Sequence, residues 1–156
     1  SLTFGHSFFD KQLINRNFKI NSGRSEILLS ELFVTTLIGK NEYLKVDESI
    51  TKDNLLSQFR DSDFTEAYVV NGYNQLIGKI KVNDLLKASD QIKPVHPLII
   101  KETDTISDAI KKASNFVGES IPIIGKDSTL LGVITEADLF SQYLEVQSRI
   151  STIEKD

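Results

Sequence analysis

Leu76-Ile77-Gly78-Lys79-Ile80 and, 54 residues on, Leu130-Leu131-Gly132-Val133-Ile134 are two copies of one pattern, each followed by an acidic-apolar pair, Asp84-Leu85 and Asp138-Leu139. Over the 11 aligned positions from Leu76 to Leu86, five residues are identical: Leu76, Gly78, Ile80, Asp84 and Leu85. The same shift lays Ala67-Tyr68-Val69-Val70 onto Ile121-Pro122-Ile123-Ile124, one apolar run of strand length onto another. A duplicated structural unit is therefore encoded.

Outward from the repeat, both copies read alike. An extended stretch (Tyr43 to Val46; Leu98 to Lys101) leads to a polar N-cap signal and a short amphipathic helix, Lys52 to Arg60 and Ser107 to Ser114. A hairpin follows, Ala67 to Asn71 turning through Gly72-Tyr73-Asn74 into Leu76 to Ile80, and Ile121 to Ile124 turning through Gly125-Lys126-Asp127 into Leu130 to Ile134. Second helices start near Asn83 and Glu136. This is an α+β fold with the order β-α-β-β-α twice. A unit of about 54 residues covers its apolar sheet face poorly alone. The copies are expected to pack sheet to sheet about a pseudo-twofold axis, leaving two matched clefts. Lys87 to Pro97, polar and Pro-containing, reads as the connector.

The composition fits one such assembly. In 156 residues there are 18 basic and 22 acidic side chains, a net charge of −4, with 40% apolar residues. A chain of this size buries roughly 68–70% of its unfolded surface without staples. Cys is absent, which excludes thiolate catalysis, Cys-ligated metal and iron–sulfur chemistry. His6 and His96 are too separated for a multi-His metal site. Apolar stretches such as Leu98 to Ile100 or Leu130 to Ile134 fall far short of the roughly 20 residues that span a bilayer. No secretory signal opens the chain. It begins Ser1-Leu2-Thr3 and contains no Met, so it is expected to be a piece of a longer parent. The acidic balance and the lack of a basic aromatic face argue against nucleic acid. Asp61 and Asp63 lie in a polar turn and read as solvated.

Chemistry is expected where the hairpin's second strand feeds the second helix, at Gly132-Val133-Ile134-Thr135-Glu136-Ala137-Asp138. Gly132 permits close backbone approach, Thr135 suits the helix N-cap, and Asp138 follows one turn later. A helix N-terminus attracts phosphate, and a nearby carboxylate accepts hydrogen bonds from ribose hydroxyls. The same Thr-x-x-Asp spacing is also a capping box, in which both side chains serve helix N–H groups. Both readings stay open on spacing alone. The in-register Gly78 and Asp84 add weight to a ligand role.

The paired units ending in Gly132-x-x-Thr135-x-x-Asp138 resemble the cystathionine-β-synthase (CBS) domain, and two in tandem resemble a Bateman module. The resemblance covers roughly Val34 to Leu144, including Ser120-Ile121-Pro122-Ile123 before the second hairpin. It implies regulatory binding of ATP, ADP or AMP in the clefts, with no cofactor required and no catalysis. In such sites the Asp contacts ribose, the Thr lies near ribose and phosphate, and apolar residues around the strands cradle adenine. Carried over, Thr135 and Asp138 match, with Gly132, Ile121 and Pro122 in support. In the first copy Gly78 and Asp84 remain, but Lys81 replaces the hydroxyl. That Lys meets a phosphate, fills the cleft with its stem, or points into water. At most one adenine site per chain is expected.

Upstream, His6 to Asn17 reads as a short helix, followed by Phe18-Lys19-Ile20, Ser22-Gly23-Arg24 and a Leu-bearing helix from Glu26 to Phe33. This aromatic-Asp-x-x-Leu-x-x-Arg segment, then Gly-Arg, resembles the linker that joins the last membrane helix of ClC-type chloride channels and transporters to their cytosolic CBS pair. Ser1 to Ser30 carries four basic and two acidic residues, +2 of the −4 total, which suits a membrane surface. The resulting expectation is a linker at 1–33 and CBS repeats at 34–90 and 91–156, on the cytoplasmic face of a membrane. The expected partners are the parent's own membrane-embedded transport domain, a second copy in a homodimer, and an adenine nucleotide. The final stripe Leu139, Tyr143, Leu144, Val146, Ile150 and Ile153 suits either a dimer contact or docking on its own core.

Overall fold

Ala67 to Val70 and Ile121 to Ile124 are apolar without alternation, the pattern of strands covered on both faces. In a computed structural model, which describes residues 22–89 and 91–155, every residue of both runs is buried. Each run is the central strand of a three-stranded sheet. The first sheet has the order β1 (Leu44–Asp47), β2 (Glu66–Val70), β3 (Leu76–Lys81), and the second has β4 (Ile100–Lys101), β5 (Ile121–Ile124), β6 (Leu130–Ile134). In both, the first pair is parallel and the second antiparallel. Val69 pairs with Gly78 and Ile123 with Gly132, and each central strand has a register shift directly after that pair. Strand order, pairing sense and the position of the bulge are therefore the same in both repeats.

The helices are α1 (Ser22–Glu31), α2 (Lys52–Arg60), α3 (Val82–Lys87), α4 (Ile106–Ala113) and α5 (Glu136–Lys155). The helix expected at Lys52 to Arg60 and the strands expected at Ile121 to Ile124 and Leu130 to Ile134 have those bounds. The other elements of the two repeats lie within one residue of the expected bounds, and two expectations are corrected further. The helix read as Glu26 to Phe33 spans Ser22–Glu31 instead. The strand read as Leu98 to Lys101 shortens to Ile100–Lys101, which pairs only with Ile123 and Ile124. Its cause is Pro122: where the first repeat has Tyr68 in register with Lys45, the second offers a residue with no N–H for the ladder. The helix expected at His6 to Asn17 lies outside the described residues.

The sheets face one another through Tyr68 and Val70 of β2 and Leu130 and Val133 of β6, with Tyr43 and Leu76 at the edge. At the hairpin tips, Leu130 N–H donates to Asn74 O at 2.9 Å, Asn74 Nδ2 donates to Leu130 O at 3.0 Å, and Gln75 bridges Thr129. Gln75 and Thr129 are repeat equivalents, so the pseudo-twofold axis passes between them. Beneath each sheet lies its own core. Val46, Leu55, Phe59, Val69, Ile80 and Leu85 form that of the first repeat. In the second, Ile106, Ile110, Ile121, Ile123 and Ile134 pack with Leu139, Tyr143, Val146 and Ile150 of α5. Leu139, Tyr143, Val146 and Ile150 of the α5 stripe are thus used on its own core, whereas Leu144 is exposed.

The two cores differ in one respect that the sequence pattern does not carry. Leu29, Val34 and Leu37, which precede β1, belong to the second repeat's core. The segment is also tied there by backbone, with Ile106 N–H donating to Leu32 O at 2.7 Å and Val34 N–H to Asp104 O at 3.0 Å. Lys111 of α4 meets Glu26 of α1 at 2.9 Å. No helix among the described residues is long and apolar enough to cross a membrane.

Leu29 is fully buried, so Leu29→Ala should lower the unfolding free energy by about 2–5 kcal/mol; a loss below about 1 kcal/mol in urea denaturation would contradict this packing. At the start of α4, Thr105 N–H donates to Asp108 Oδ2 at 3.0 Å and Asp108 N–H to Thr105 Oγ1 at 3.1 Å. The backbone hydrogen bond from Thr105 holds the Asp108 carboxyl below its usual range. A depressed folded value means stability present above about pH 4, the unfolded carboxylate value, and lost as pH falls through the folded one. The stability gap between the unaltered chain and Asp108→Asn should therefore shrink as pH drops below about 4.

Candidate functional site

Each repeat's glycine admits the segment that leads into the other repeat. A methyl group on Gly78 would lie 2.7 Å from Pro94 Cβ and 3.1 Å from Val95 O, so a side chain there would push the connector off β3. That close approach is used, because Lys79 N–H donates to Val95 O at 2.8 Å and Val95 N–H to Lys79 O at 2.9 Å. On Gly132 a Cβ would stand 3.4 Å from Ile38 Cγ2 and 3.8 Å from Gly39 N. Both clefts are consequently walled by both repeats, as the duplication requires.

In the second-repeat cleft, Thr135 and Asp138 form a reciprocal cap on α5. Thr135 N–H donates to Asp138 Oδ2 at 2.8 Å, and Asp138 N–H donates to Thr135 Oγ1 at 3.1 Å. Asn41 Nδ2 donates to the same Oδ2 at 2.6 Å and reaches Val133 O at 3.4 Å. Gly132, Thr135 and Asp138 are therefore brought together, but beneath the chain from Ile38 to Asn41. Ile121 sits in the apolar core, and Pro122 is buried in β5 opposite Val133.

The first-repeat cleft is open. A cavity of about 440 Å³ is lined by Lys81 and Asp84 from the strand-to-helix junction, by Val95 to Leu98 of the connector, and by Lys112, Asn115, Phe116 and Val117 at the end of α4. Its volume suits a small ligand. Lys81 occupies the N-cap position of α3 and makes no side-chain cap; its side chain is exposed. Lys112 also lines the wall and pairs with Asp104 at 2.6 Å. The opening thus combines cationic and acidic side chains with an apolar wall, the combination that a nucleotide's phosphates, ribose and base require.

Behind that wall lies a buried polar seam that sequence patterning passes over. Lys79 Nζ pairs with Glu66 Oε1 at 2.6 Å and donates to Ser120 O at 3.1 Å. Tyr68 Oη donates to the same carbonyl at 2.9 Å and lies 2.7 Å from Ser120 Oγ. Burial pushes the Tyr68 phenol far up, against the smaller opposing effect of the Ser120 hydrogen bond, so it stays a donor. Glu119 accepts from Thr65 N–H at 3.0 Å and from Glu66 N–H at 3.1 Å, while Glu119 N–H donates to Glu66 Oε1 at 3.1 Å. The one signal in the sequence is a charged residue where the second copy has Val133. Among the described residues, no three His, Asp or Glu side chains converge to hold a metal ion.

Residues 92–145 match the family model of the CBS domain. The CBS pair domain of a candidate Mg2+ transporter of Shewanella oneidensis MR-1 is similar over 89% of this chain and 86% of its own, with 16% identity and a TM-score of 0.64. A CBS domain pair/ACT domain protein of Thermotoga maritima is similar over 73% and 98%, with 19% identity and a TM-score of 0.61. The CBS domain of a bacterial CNNM/CorC family Mg2+ transporter, solved in complex with ATP, is similar over 82% and 98%, with 14% identity and a TM-score of 0.61. No curated protein matches the chain in sequence. The two-repeat architecture is that of a CBS pair.

Gly78→Ala forces Cβ against Pro94 and should cost about 1–3 kcal/mol through overpacking. Gly132→Ala meets only ordinary contacts and should be near neutral; equal losses of melting temperature in the two variants would refute the difference. Lys79→Met strands Glu66 and should cost about 3–5 kcal/mol, much of it restored in Lys79→Met/Glu66→Gln, as a double-mutant cycle in urea would reveal.

Proposed function

We propose that this chain is the regulatory CBS pair of a ClC-type chloride channel or proton-coupled chloride transporter, and that an adenosine nucleotide binds between its repeats. The host reading rests on the lead-in sequence, with residues 1–33 as the linker from the membrane domain and repeats at 34–90 and 91–156, on the cytoplasmic face. The ligand reading is carried by one observation, the open cavity beside Lys81 and Asp84. ATP in the CNNM/CorC structure supports the ligand class. A Mg2+ transporter is the second host reading, favoured by the likeness to the Shewanella and CNNM/CorC structures.

Asp84 is the proposed ribose acceptor and Lys81 the phosphate contact of the first-repeat cleft. Thr135 and Asp138, with Gly132, Ile121 and Pro122, make up the alternative site, whose carboxylate is already engaged by the α5 cap and Asn41. The transmission route is short. α4 carries Lys112 at the cavity and, one residue before it, Lys111 paired with Glu26 of α1. A ligand that binds one arrangement of the repeats better than another biases α4 and therefore α1, and α1 leads back toward the pore.

Calorimetry with ATP, ADP and AMP tests the sensor. Asp84→Ala should cost about 1.5–3 kcal/mol of binding, roughly 10- to 150-fold in affinity. Asp138→Ala should instead cost about 1 kcal/mol of folding stability through the lost cap. The reverse pattern would move the ligand to the second cleft, and no heat with any of the three would leave a ligand-free dimerisation module. The host is tested by reconstituting the parent chain and measuring chloride and Mg2+ flux with and without nucleotide.

A further inference from the structure

We propose that Lys79 is a specificity-determining residue of the first-repeat cleft, donating its third ammonium hydrogen to a neutral ring acceptor of the bound purine; this deepens the nucleotide reading above and rests on it. Lys79 is more than nine-tenths buried and lines the cavity. An ammonium has three donors. Glu66 Oε1 at 2.6 Å and Ser120 O at 3.1 Å take two of them, and the third meets no oxygen or nitrogen acceptor among the described residues. The ring centroids of Tyr68 and Phe116 lie 5.5 and 5.3 Å from Nζ. Phe116, like Lys79, is part of the cavity wall, so the ammonium adjoins the aromatic residue of that wall.

Charge selects the acceptor. Lys79 and Glu66 are neutral as a unit, so a phosphate brought to them would lose its water without meeting net positive charge. A neutral nitrogen or carbonyl oxygen on a flat ring gains both the donor and an aromatic surface. Lys81, exposed on the same wall, suits the phosphates as a point charge. Base and phosphate are thereby assigned to different side chains of one cavity. The same Lys79 holds the Ser120 carbonyl of the other repeat, so reading the base and tightening the seam become one event.

The test is calorimetry on the full chain with ATP and inorganic tripolyphosphate. Lys79→Met/Glu66→Gln removes both charges and keeps an acceptor for the Glu119 N–H. It should lose at least tenfold in ATP affinity while tripolyphosphate changes by no more than about twofold. Equal loss of both probes means a merely structural role and overturns the assignment, as does unchanged ATP affinity. Should the variant not fold, or tripolyphosphate bind too weakly to measure, 1-deaza-, 3-deaza- and 7-deaza-ATP on the unaltered chain decide the matter. At least one should bind tenfold or more weaker than ATP; three unchanged affinities overturn the proposal. An unaltered chain that takes up no ATP at all would remove the nucleotide reading itself, a failure distinct from the others.

Discussion

Each sheet has a helix-covered face and an apolar face with nothing of its own repeat to cover it, and the burial of those two faces on one another is the constraint that organises the molecule. Tyr68 and Val70 against Leu130 and Val133 satisfy it. Apolar contact is non-directional, so register must come from elsewhere. It comes from the ends: Gln75 bridges Thr129 at the hairpin tips, and Glu66 and Glu119 exchange hydrogen bonds with each other's backbone at the opposite end. Between them Lys79 and Tyr68 both donate to Ser120 O. A slipped pairing would take the Ser120 carbonyl from the Lys79 ammonium and the Glu119 N–H from the Glu66 carboxylate, leaving a buried ion pair short of hydrogen bonds, which is costlier than losing an apolar contact.

Because the two repeats are related by a pseudo-twofold axis, their clefts begin as equivalents and are then made different by what runs past them. The connector crosses Gly78 as main chain, pairs with Lys79 through Val95, and leaves space beyond it. On the other side, the chain from Ile38 to Asn41 crosses Gly132, and the Asn41 amide reaches the Asp138 carboxylate. A cavity thus opens beside the first junction, while at the second the Asp138 carboxylate is engaged by Asn41 and the α5 cap. The same asymmetry extends to the cores, since Leu29, Val34 and Leu37 complete only the second. That crossing of the lead-in onto the far repeat is what links the cavity, through α4, to the chain upstream.

Much of the fold was legible because it depends on local periodicity and on repetition. Apolar runs of strand length, turn residues at Asn71 to Asn74, and Thr51 or Thr105 before an amphipathic stretch each specify an element with little help from distant contacts. The candidate site was less legible because Thr135-x-x-Asp138 serves a cap and a ligand equally well in one dimension. Lys79 was passed over for a related reason. Read as a pattern it is a polar residue on a strand, and only its distance from Glu66, 13 positions away in sequence, makes it the hinge of a buried pair.

The amino-acid order by itself determined the duplication, the element order, the place of both junctions, and the absence of thiol chemistry, since these follow from identity and spacing. Tertiary structure alone decided which residues wall the first-repeat cavity, which core the lead-in completes, that Leu139, Tyr143, Val146 and Ile150 of α5 are consumed internally, and that a lysine among apolar neighbours has an acid and a carbonyl to hold. The physical reason is that periodicity encodes which face of an element is apolar, whereas the occupant of that face is chosen among distant segments by fit and by the need to pair every buried charge.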